Sequence, residues 1–168
     1  MTAAKWVGYL EHKSPERLGY FTENVGKGYC TIFAAMLWES QRVNLMGLPW
    51  CATFVFAVHP ARGKLGKPCP GVLTLARRMI LRGRWRGRRY RPKRNDIIFC
   101  RNREGGGIEH CGIVESCDGI SVTSIDGNSV DASGVFSPEQ GGAVARRTRK
   151  MTDPHIVGYA AISEKDVI

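Results

Sequence analysis

Residues 50–58 form the longest apolar run of this chain, and they lie between Pro49 and Pro60. Only Thr53 interrupts the apolar side chains. A run without a polar face has to be buried on all sides, so the rest of the chain must supply the elements that cover it. Its periodicity fits a buried helix and a buried strand equally well, and both interpretations stay open.

The patterns on the two sides of this run differ. Before it they are helical: an N-cap at Thr2, a cap with a proline in the first turn at residues 14–16, and a buried helix over residues 31–38. After it we predict strands, a hairpin turn at residues 117–119 and a surface loop at residues 127–142. The predicted strands cover residues 96–100, 109–116, 120–125, 143–149 and 156–162. The fold class is therefore α+β, with N-terminal helices packed on an antiparallel sheet of five to six strands.

A chain of 168 residues with 43% hydrophobic and 24% charged residues suits one compact domain. We predict a single domain over residues 1–168, with a helical half at about residues 1–82 and a sheet half at about residues 95–162. No apolar stretch reaches the roughly 18 to 20 residues that span a bilayer. The N-terminus lacks the pattern of a secretory signal. We expect a soluble monomer without a membrane partner, present in the cytoplasm after synthesis.

The positive charge is concentrated in one segment. The net charge is +10, and residues 77–94 hold ten of the 25 basic residues and none of the 15 acidic ones. Such a segment indicates either a polyanionic partner or a solvated basic face. Trp85 and Tyr90 lie among these arginines, and this mixture can also stack on bases while it neutralises phosphates.

The six cysteines do not have the pattern of a disulfide framework or a zinc site. Several lie inside apolar runs, where a free thiol behaves as a small hydrophobe. No C-x-x-C pair occurs, and the separation of Cys111 and Cys117 does not match zinc-ligand spacing. We interpret five of the six as reduced core or loop residues, and we predict neither a metal nor another cofactor.

Three short features can carry chemistry together. If a helix starts after Pro49, Cys51 lies in its first turn, where the helix dipole favours the thiolate. His110 follows three glycines at the start of a predicted strand and can accept the proton of Cys51. Asp126 and Asn128 are two residues apart on the next strand, so either can hold the second ring nitrogen of His110. Each feature alone is more often structural, but their order suits a thiolate–imidazolium pair with an orienting group.

With these residues, the sequence resembles the CHAP family of cysteine- and histidine-dependent amidohydrolases and peptidases. This family lies in the papain-like superfamily, close to the NlpC-type cell-wall peptidases. The motifs LPWCATFVFAV, DIIFC, EHCGIVESCDG and VTSIDGNS carry the resemblance, and a weaker match continues to the C-terminus. It implies a papain-like fold.

The resemblance also implies a function at the bacterial cell wall. Cys51 matches the family nucleophile, His110 the histidine, and Asp126 the acidic residue, with Asn128 beside it. Family members cleave amide bonds of peptidoglycan, either between muramic acid and L-alanine or within the stem and cross-bridge peptides. We expect this activity at the wall after release or export, with the basic segment contacting an anionic wall polymer.

Two positions depart from the family pattern. Asp126 stands where glutamate is common, which leaves open whether Asp126 or Asn128 orients His110. Asn95 stands where a glycine usually precedes the aspartate of the DII strand. Two alternative functions also remain: a nucleic-acid-binding module that uses residues 77–94, which we disfavour because no recognised binding motif occurs, and a papain-like amidase that acts on a non-wall peptide.

Overall fold

The computed structural model of the chain describes residues 2–101, 106–130 and 141–162. These residues form three α-helices and six β-strands, so the predicted α+β fold is confirmed. The helices are α1 (Ile32–Gln41), α2 (Cys51–Val58) and α3 (Val72–Leu81). The strands are β1 (Trp85–Gly87), β2 (Ile97–Arg101), β3 (Ile108–Cys117), β4 (Ser121–Ser129), β5 (Ala143–Lys150) and β6 (Ile156–Ala160).

The six strands form one antiparallel sheet in the order β1-β6-β2-β3-β4-β5. The hairpin between β3 and β4 turns where the sequence predicts it. In the register, Cys100 lies opposite His110, and Gly112 lies opposite Asp126. His110 lies on β3 and Asp126 on the neighbouring strand β4. Because Gly112 is two residues after His110, Asp126 lies diagonally across from His110.

The apolar run at residues 50–58 forms helix α2, so the helical interpretation is correct. All eight residues of α2 are buried, because α1 covers one side of this helix and strands β3 and β4 cover the other. Helix α3 packs on β1 and β3. The main hydrophobic core therefore lies between the helices and one face of the sheet.

A second, smaller apolar cluster covers the opposite face of the sheet. Its buried members are Ile98, Cys100, Val114, Val122, Ile156 and Tyr159. Successive residues of a strand point to opposite faces. Alternate residues of β2 and β3 therefore pack in the main core, and the residues between them pack in the second cluster. Both faces of the central strands are thus packed.

Two predicted helices at the N-terminus are wrong. Thr2 precedes only a short 3-10 helix (Ala3–Trp6), because the chain turns away at Gly8, where φ is +94° and the N–H donates to Val144 O. Residues 14–16 do not start a helix either, since Arg17 adopts a φ of +55°. The N–H groups of residues 10–13, between these two positions, donate to carbonyls distant in sequence, as Leu10 does to Phe21 O. The helix at residues 31–38 is confirmed, and Thr31 caps it by accepting from the Ala34 N–H at 3.2 Å.

The second half differs from the prediction at its edges. The predicted surface loop at 127–142 is wrong at both ends, because residues 127–129 belong to β4, and Gly141 and Gly142 are buried. Residues 131–140 of this prediction, and residue 105 of the glycine run before His110, lie outside the described residues. Strand β1 was not predicted, because three residues of Trp-Arg-Gly are too short to show an alternating pattern.

Candidate active site

Cys51 is the first residue of helix α2. The first N–H with an acceptor inside this helix is that of Phe54, which donates to Trp50 O at 2.8 Å. The N–H groups of residues 51–53 therefore point out of the first turn, where the positive end of the helix dipole lies. Trp50 is buried, and its indole N–H donates to the carboxylate of Glu11 at 2.7 Å. This contact ties the start of α2 to the N-terminal segment.

The start of α2 faces the start of strand β3. The sulfur of Cys51 lies 3.9 Å from the carbonyl oxygen of Glu109, the residue before His110. Cys51 is only 5% exposed, whereas the side chain of His110 keeps 24% of its surface exposed. The cysteine and the histidine, 59 positions apart in the sequence, are thus neighbours in space.

His110 is held by Asp126. Its Nε2 lies 2.9 Å from Oδ2 of Asp126, whose side chain is fully buried. Because Nε2 is engaged there, Nδ1 is the ring nitrogen left for the sulfur of Cys51. The carboxylate fits because its partner across the sheet is Gly112: a Cβ at this position would lie 2.0 Å from Asp126 Oδ1. The glycine two residues after the histidine therefore makes room for the orienting carboxylate.

Gly127 brings strand β4 close to helix α2. A Cβ at Gly127 would lie 2.6 Å from the Cβ of Phe54 and 2.9 Å from the ring of Trp50. Strand and helix can approach this closely only where one of them lacks a side chain. Gly127 thus sets the distance between the element that carries Cys51 and the strand that carries Asp126.

Asn128 is not brought to His110. It adopts a φ of +51°, and the register of β4 with β5 shifts between Asp126 and Ser129. The alternation that would put Asp126 and Asn128 on the same face is therefore broken. The side-chain oxygen of Asn128 lies next to Gly142 and has no hydrogen-bond partner among the described residues.

Arg149 and Ser124 complete the surroundings of Asp126, and sequence reasoning missed both. Arg149 donates from Nη2 to Asp126 Oδ2 at 2.7 Å and from Nη1 to Ser124 Oγ at 3.0 Å. Ser124 donates to Asp126 Oδ1 at 2.6 Å. The Arg149 side chain is only 16% exposed. In the sequence it is one of four cations in VARRTRK, and nothing in that run distinguishes it from its exposed neighbours.

The environment of Cys51 favours the thiolate. Hydrogen bonds from the Cys111 thiol, and after it from His110, lower the pKa of the Cys51 thiol well below its ordinary range, although burial opposes ionisation. The pKa of Cys111 is raised well above its ordinary value, first by its hydrogen bond to Cys51 and then by burial. Cys111 therefore keeps its proton and acts as the donor.

The pKa of His110 and that of Asp126 move in opposite directions. Burial disfavours the charged imidazole, but hydrogen bonds and charges from Asp126 and Cys51 outweigh it and raise the pKa of His110 to about 10. Burial also opposes the ionisation of Asp126, but the charge of Arg149 and the hydrogen bond from His110 hold its pKa below its ordinary range. These pKa shifts favour the charged forms of all three groups: the Cys51 thiolate, the His110 imidazolium and the Asp126 carboxylate.

The two other buried histidines make structural contacts elsewhere. His59 donates from Nε2 to Asn95 O at 2.7 Å and accepts from the Ala61 N–H at 2.9 Å, and burial lowers its pKa to about 4. The ring nitrogens of His12 face the carbonyl oxygens of residues 16 and 20. Within the described residues, no three His, Cys, Asp or Glu side chains are grouped to hold a metal ion.

Comparison with known protein families identifies the family of the chain. The model of the CHAP domain matches residues 20–128, well over half of the chain. The protein belongs to the CHAP family. The match includes Cys51, His110 and Asp126, whereas Arg149 lies beyond its last residue. Searches of curated proteins and of solved structures found no match.

Membership of the CHAP family indicates a hydrolase of the amidase or peptidase type with a substrate related to peptidoglycan. It also indicates action at the cell wall. Over the described part of the chain, no helix is long and apolar enough to cross a membrane.

Proposed function

We propose that this CHAP protein is a peptidoglycan hydrolase that cleaves an amide bond through a thiolate on Cys51. The bond is either the one between N-acetylmuramic acid and L-alanine or one within the stem or cross-bridge peptides. The observation that carries the proposal is the position of Cys51 at the N-terminus of α2, beside a His110 that Asp126 holds at 2.9 Å.

In the first half of the reaction, the Cys51 thiolate attacks the carbonyl carbon of the amide. The developing oxyanion lies near the first turn of α2, where the backbone N–H of Cys51 can donate to it. The His110 imidazolium then gives its proton to the leaving amine as the C–N bond breaks. The products of this half are a free amine and a thioester on Cys51.

In the second half, His110 is the base. Neutral after the first proton transfer, it takes a proton from water, and the hydroxide attacks the thioester carbonyl. The C–S bond breaks and releases the carboxylic acid, which restores the thiolate and the imidazolium. Asp126 keeps the ring in one orientation throughout, and Arg149 and Ser124 keep Asp126 in place.

Replacement of the nucleophile tests the proposal. Cys51→Ala should lower the release of new amino groups from purified cell wall by at least about a thousandfold, because no other group forms the thioester. Cys69→Ala is the matched control: this thiol contacts Gly71 O and lies outside the site, so its activity should stay at the wild-type rate. Undiminished activity in Cys51→Ala would overturn the assignment.

Mass spectrometry of the released fragments identifies the bond. New N-terminal alanine with intact glycan chains indicates the amidase reaction, and shortened peptides indicate the endopeptidase reaction. If whole wall gives no fragments but a soluble peptide conjugate is cleaved in a Cys51-dependent way, the substrate is a non-wall peptide.

The structure gives the nucleic-acid alternative less support than the sequence did. The ring of Trp85 packs on Phe99, with centroids 5.4 Å apart, and the ring of Tyr90 packs on Tyr159 at 6.0 Å. Both rings are half-buried and turned towards the sheet. The basic segment therefore lacks the freely exposed aromatic side chains on which bases would stack.

A further inference from the structure

Three arginines of the basic segment converge on a pocket that the catalytic reaction does not use. Arg88, Arg89 and Arg91 line it, together with Gly119 of the β3–β4 hairpin and with Met151 and Thr152 after β5. Its volume is about 310 Å³. The arginines come from the connection between β1 and β2, which passes the hairpin at one end of the sheet.

Among the described residues, Asp118 interacts electrostatically with Arg91 but forms no salt bridge with it, so the positive charge of this pocket stays largely unpaired there. None of the three arginines forms a salt bridge within the described residues, and all three are exposed. Arg91 is held in place because its Nη2 donates to the carbonyl oxygen of Asp118 at 3.1 Å. The carboxylate of Asp118 accepts instead from the N–H groups of Ile120 and Ser121.

The lining indicates the chemistry of the ligand. A guanidinium group binds phosphate oxygens through two parallel N–H donors. Three such groups suit a ligand in which a second negatively charged group lies next to the phosphate. The remaining wall is a methionine, a threonine and a glycine, with no aromatic ring on which a base would stack. A phosphodiester that links small polyols fits this lining better than a nucleotide does.

The pocket is separate from the reacting groups. His110 lies near the start of β3, and the hairpin follows the other end of this strand at Cys117. Seven residues of strand at about 3.3 Å each put about 23 Å between these two ends. A ligand in the pocket therefore leaves the sulfur of Cys51 free for another part of the same wall.

We propose that Arg88, Arg89 and Arg91 bind phosphodiester groups of an anionic wall polymer and hold the enzyme on its substrate. This inference rests on the proposed function for its source of phosphate, because a wall hydrolase meets such polymers at the wall. Binding itself does not require an active Cys51, so it can be tested separately from hydrolysis.

The binding test uses poly(glycerol phosphate) as the probe and the full chain as the protein. Arg88→Gln/Arg89→Gln removes two charges from the pocket. Arg62→Gln/Arg77→Gln removes two exposed charges elsewhere and is the matched control. We expect the pocket variant to bind about tenfold more weakly in dilute salt and the control to stay within about twofold of wild type. The slope of log K against log salt should fall by about 1.4 in the pocket variant, about 0.7 for each lost contact.

Two results would overturn the inference. Equal losses in both double variants would mean that only the net charge matters. The pocket would be assigned to nucleic acid if the protein bound single-stranded DNA more tightly than poly(glycerol phosphate) and lost this binding when Arg88 and Arg89 were replaced.

A hydrolysis assay distinguishes failure of this inference from failure of the proposed function. The pocket variant should show a raised KM on wall that carries the phosphate polymer, and an unchanged KM on wall stripped of it. An unchanged KM on both would overturn the inference while the hydrolase assignment stands. Tight binding of the polymer by a wild-type protein that cleaves no wall would instead contradict the proposed function alone.

Discussion

At the scale of single residues, Cys51 and His110 favour each other's charged form, which is the condition for a thiolate–imidazolium ion pair. Hydrogen bonds from Cys111 and His110 lower the pKa of Cys51, and Asp126 is the main support for the raised pKa of His110. The pair is therefore charged between the low pKa of the thiol and the pKa of the imidazolium at about 10. This range decides how the protein responds to pH.

We predict that iodoacetamide alkylates Cys51 at a nearly constant rate from below neutral pH upwards. The rate of hydrolysis should rise over the same acidic pH range as the rate of alkylation. It should decline as the pH passes about 10, because His110 then lacks the proton for the leaving amine. In His110→Ala, the onset of alkylation should move towards the pH range of an ordinary cysteine. Onset in that ordinary range for the wild-type protein would contradict the ion pair.

Arg149 donates to Asp126 Oδ2, and we propose that it positions this carboxylate. We predict that Arg149→Met lowers kcat about tenfold with little change in KM, because the carboxylate loses one of its two Oδ2 contacts. The loss of activity in acid should also begin at higher pH, because Asp126 without Arg149 binds a proton more readily and then no longer supports the imidazolium that favours the Cys51 thiolate. Arg149→Lys should restore part of kcat, because lysine keeps the charge but cannot also reach Ser124.

The control for this measurement lies on the same strand. Arg146 pairs with Glu115 at the surface, so Arg146→Met removes an equal charge from β5 without touching Asp126. Its kcat and pH profile should match those of the wild-type protein. A kcat loss in Arg149→Met without this shift in the loss of activity in acid would indicate a purely structural role.

At the scale of elements, the site depends on how closely β4 approaches α2. We predict that Gly127→Ala lowers the free energy of unfolding by about 1–3 kcal/mol, because its methyl group would meet the rigid Cβ of Phe54. The activity should fall further than the stability explains, since β4 carries Asp126. Urea unfolding and wall hydrolysis measure the two effects. Gly87→Ala, where a Cβ meets nothing within 4 Å, is the control, and an equal loss of stability there would contradict the explanation.

Elements differ in how far their sequence predicted them. Helix α1 and strands β2 to β6 follow from short apolar runs that turn and loop residues bound on each side. The segment at residues 8–30 did not, since its backbone pairs with carbonyls distant in sequence and overrides the local caps. Helix α2 has no polar face, so only its neighbours decided between helix and strand.

At the scale of the whole molecule, the N-terminal segment closes the fold around the site. The buried carboxylate of Glu11 accepts from the N–H groups of Gly28 and Tyr29 and from the indole of Trp50, the residue before Cys51. Glu11 N–H donates to Gly142 O, at the start of β5. One residue thus joins the N-terminal segment, helix α2 and the sheet, although in the sequence it stands in no recognisable motif.

The order of apolar runs along the chain determined the α+β class and the sheet, because each helix or strand carries the apolar side chains that it buries in its own stretch of sequence. Short motifs likewise pointed to Cys51, His110 and Asp126, since their chemistry depends on residue type and order. Only the tertiary structure separated Asp126 from Asn128 as the partner of His110 and found Arg149 and Cys111. Those contacts depend on strand register and on a bulge in β4, which arise when distant segments pair and which no local pattern records.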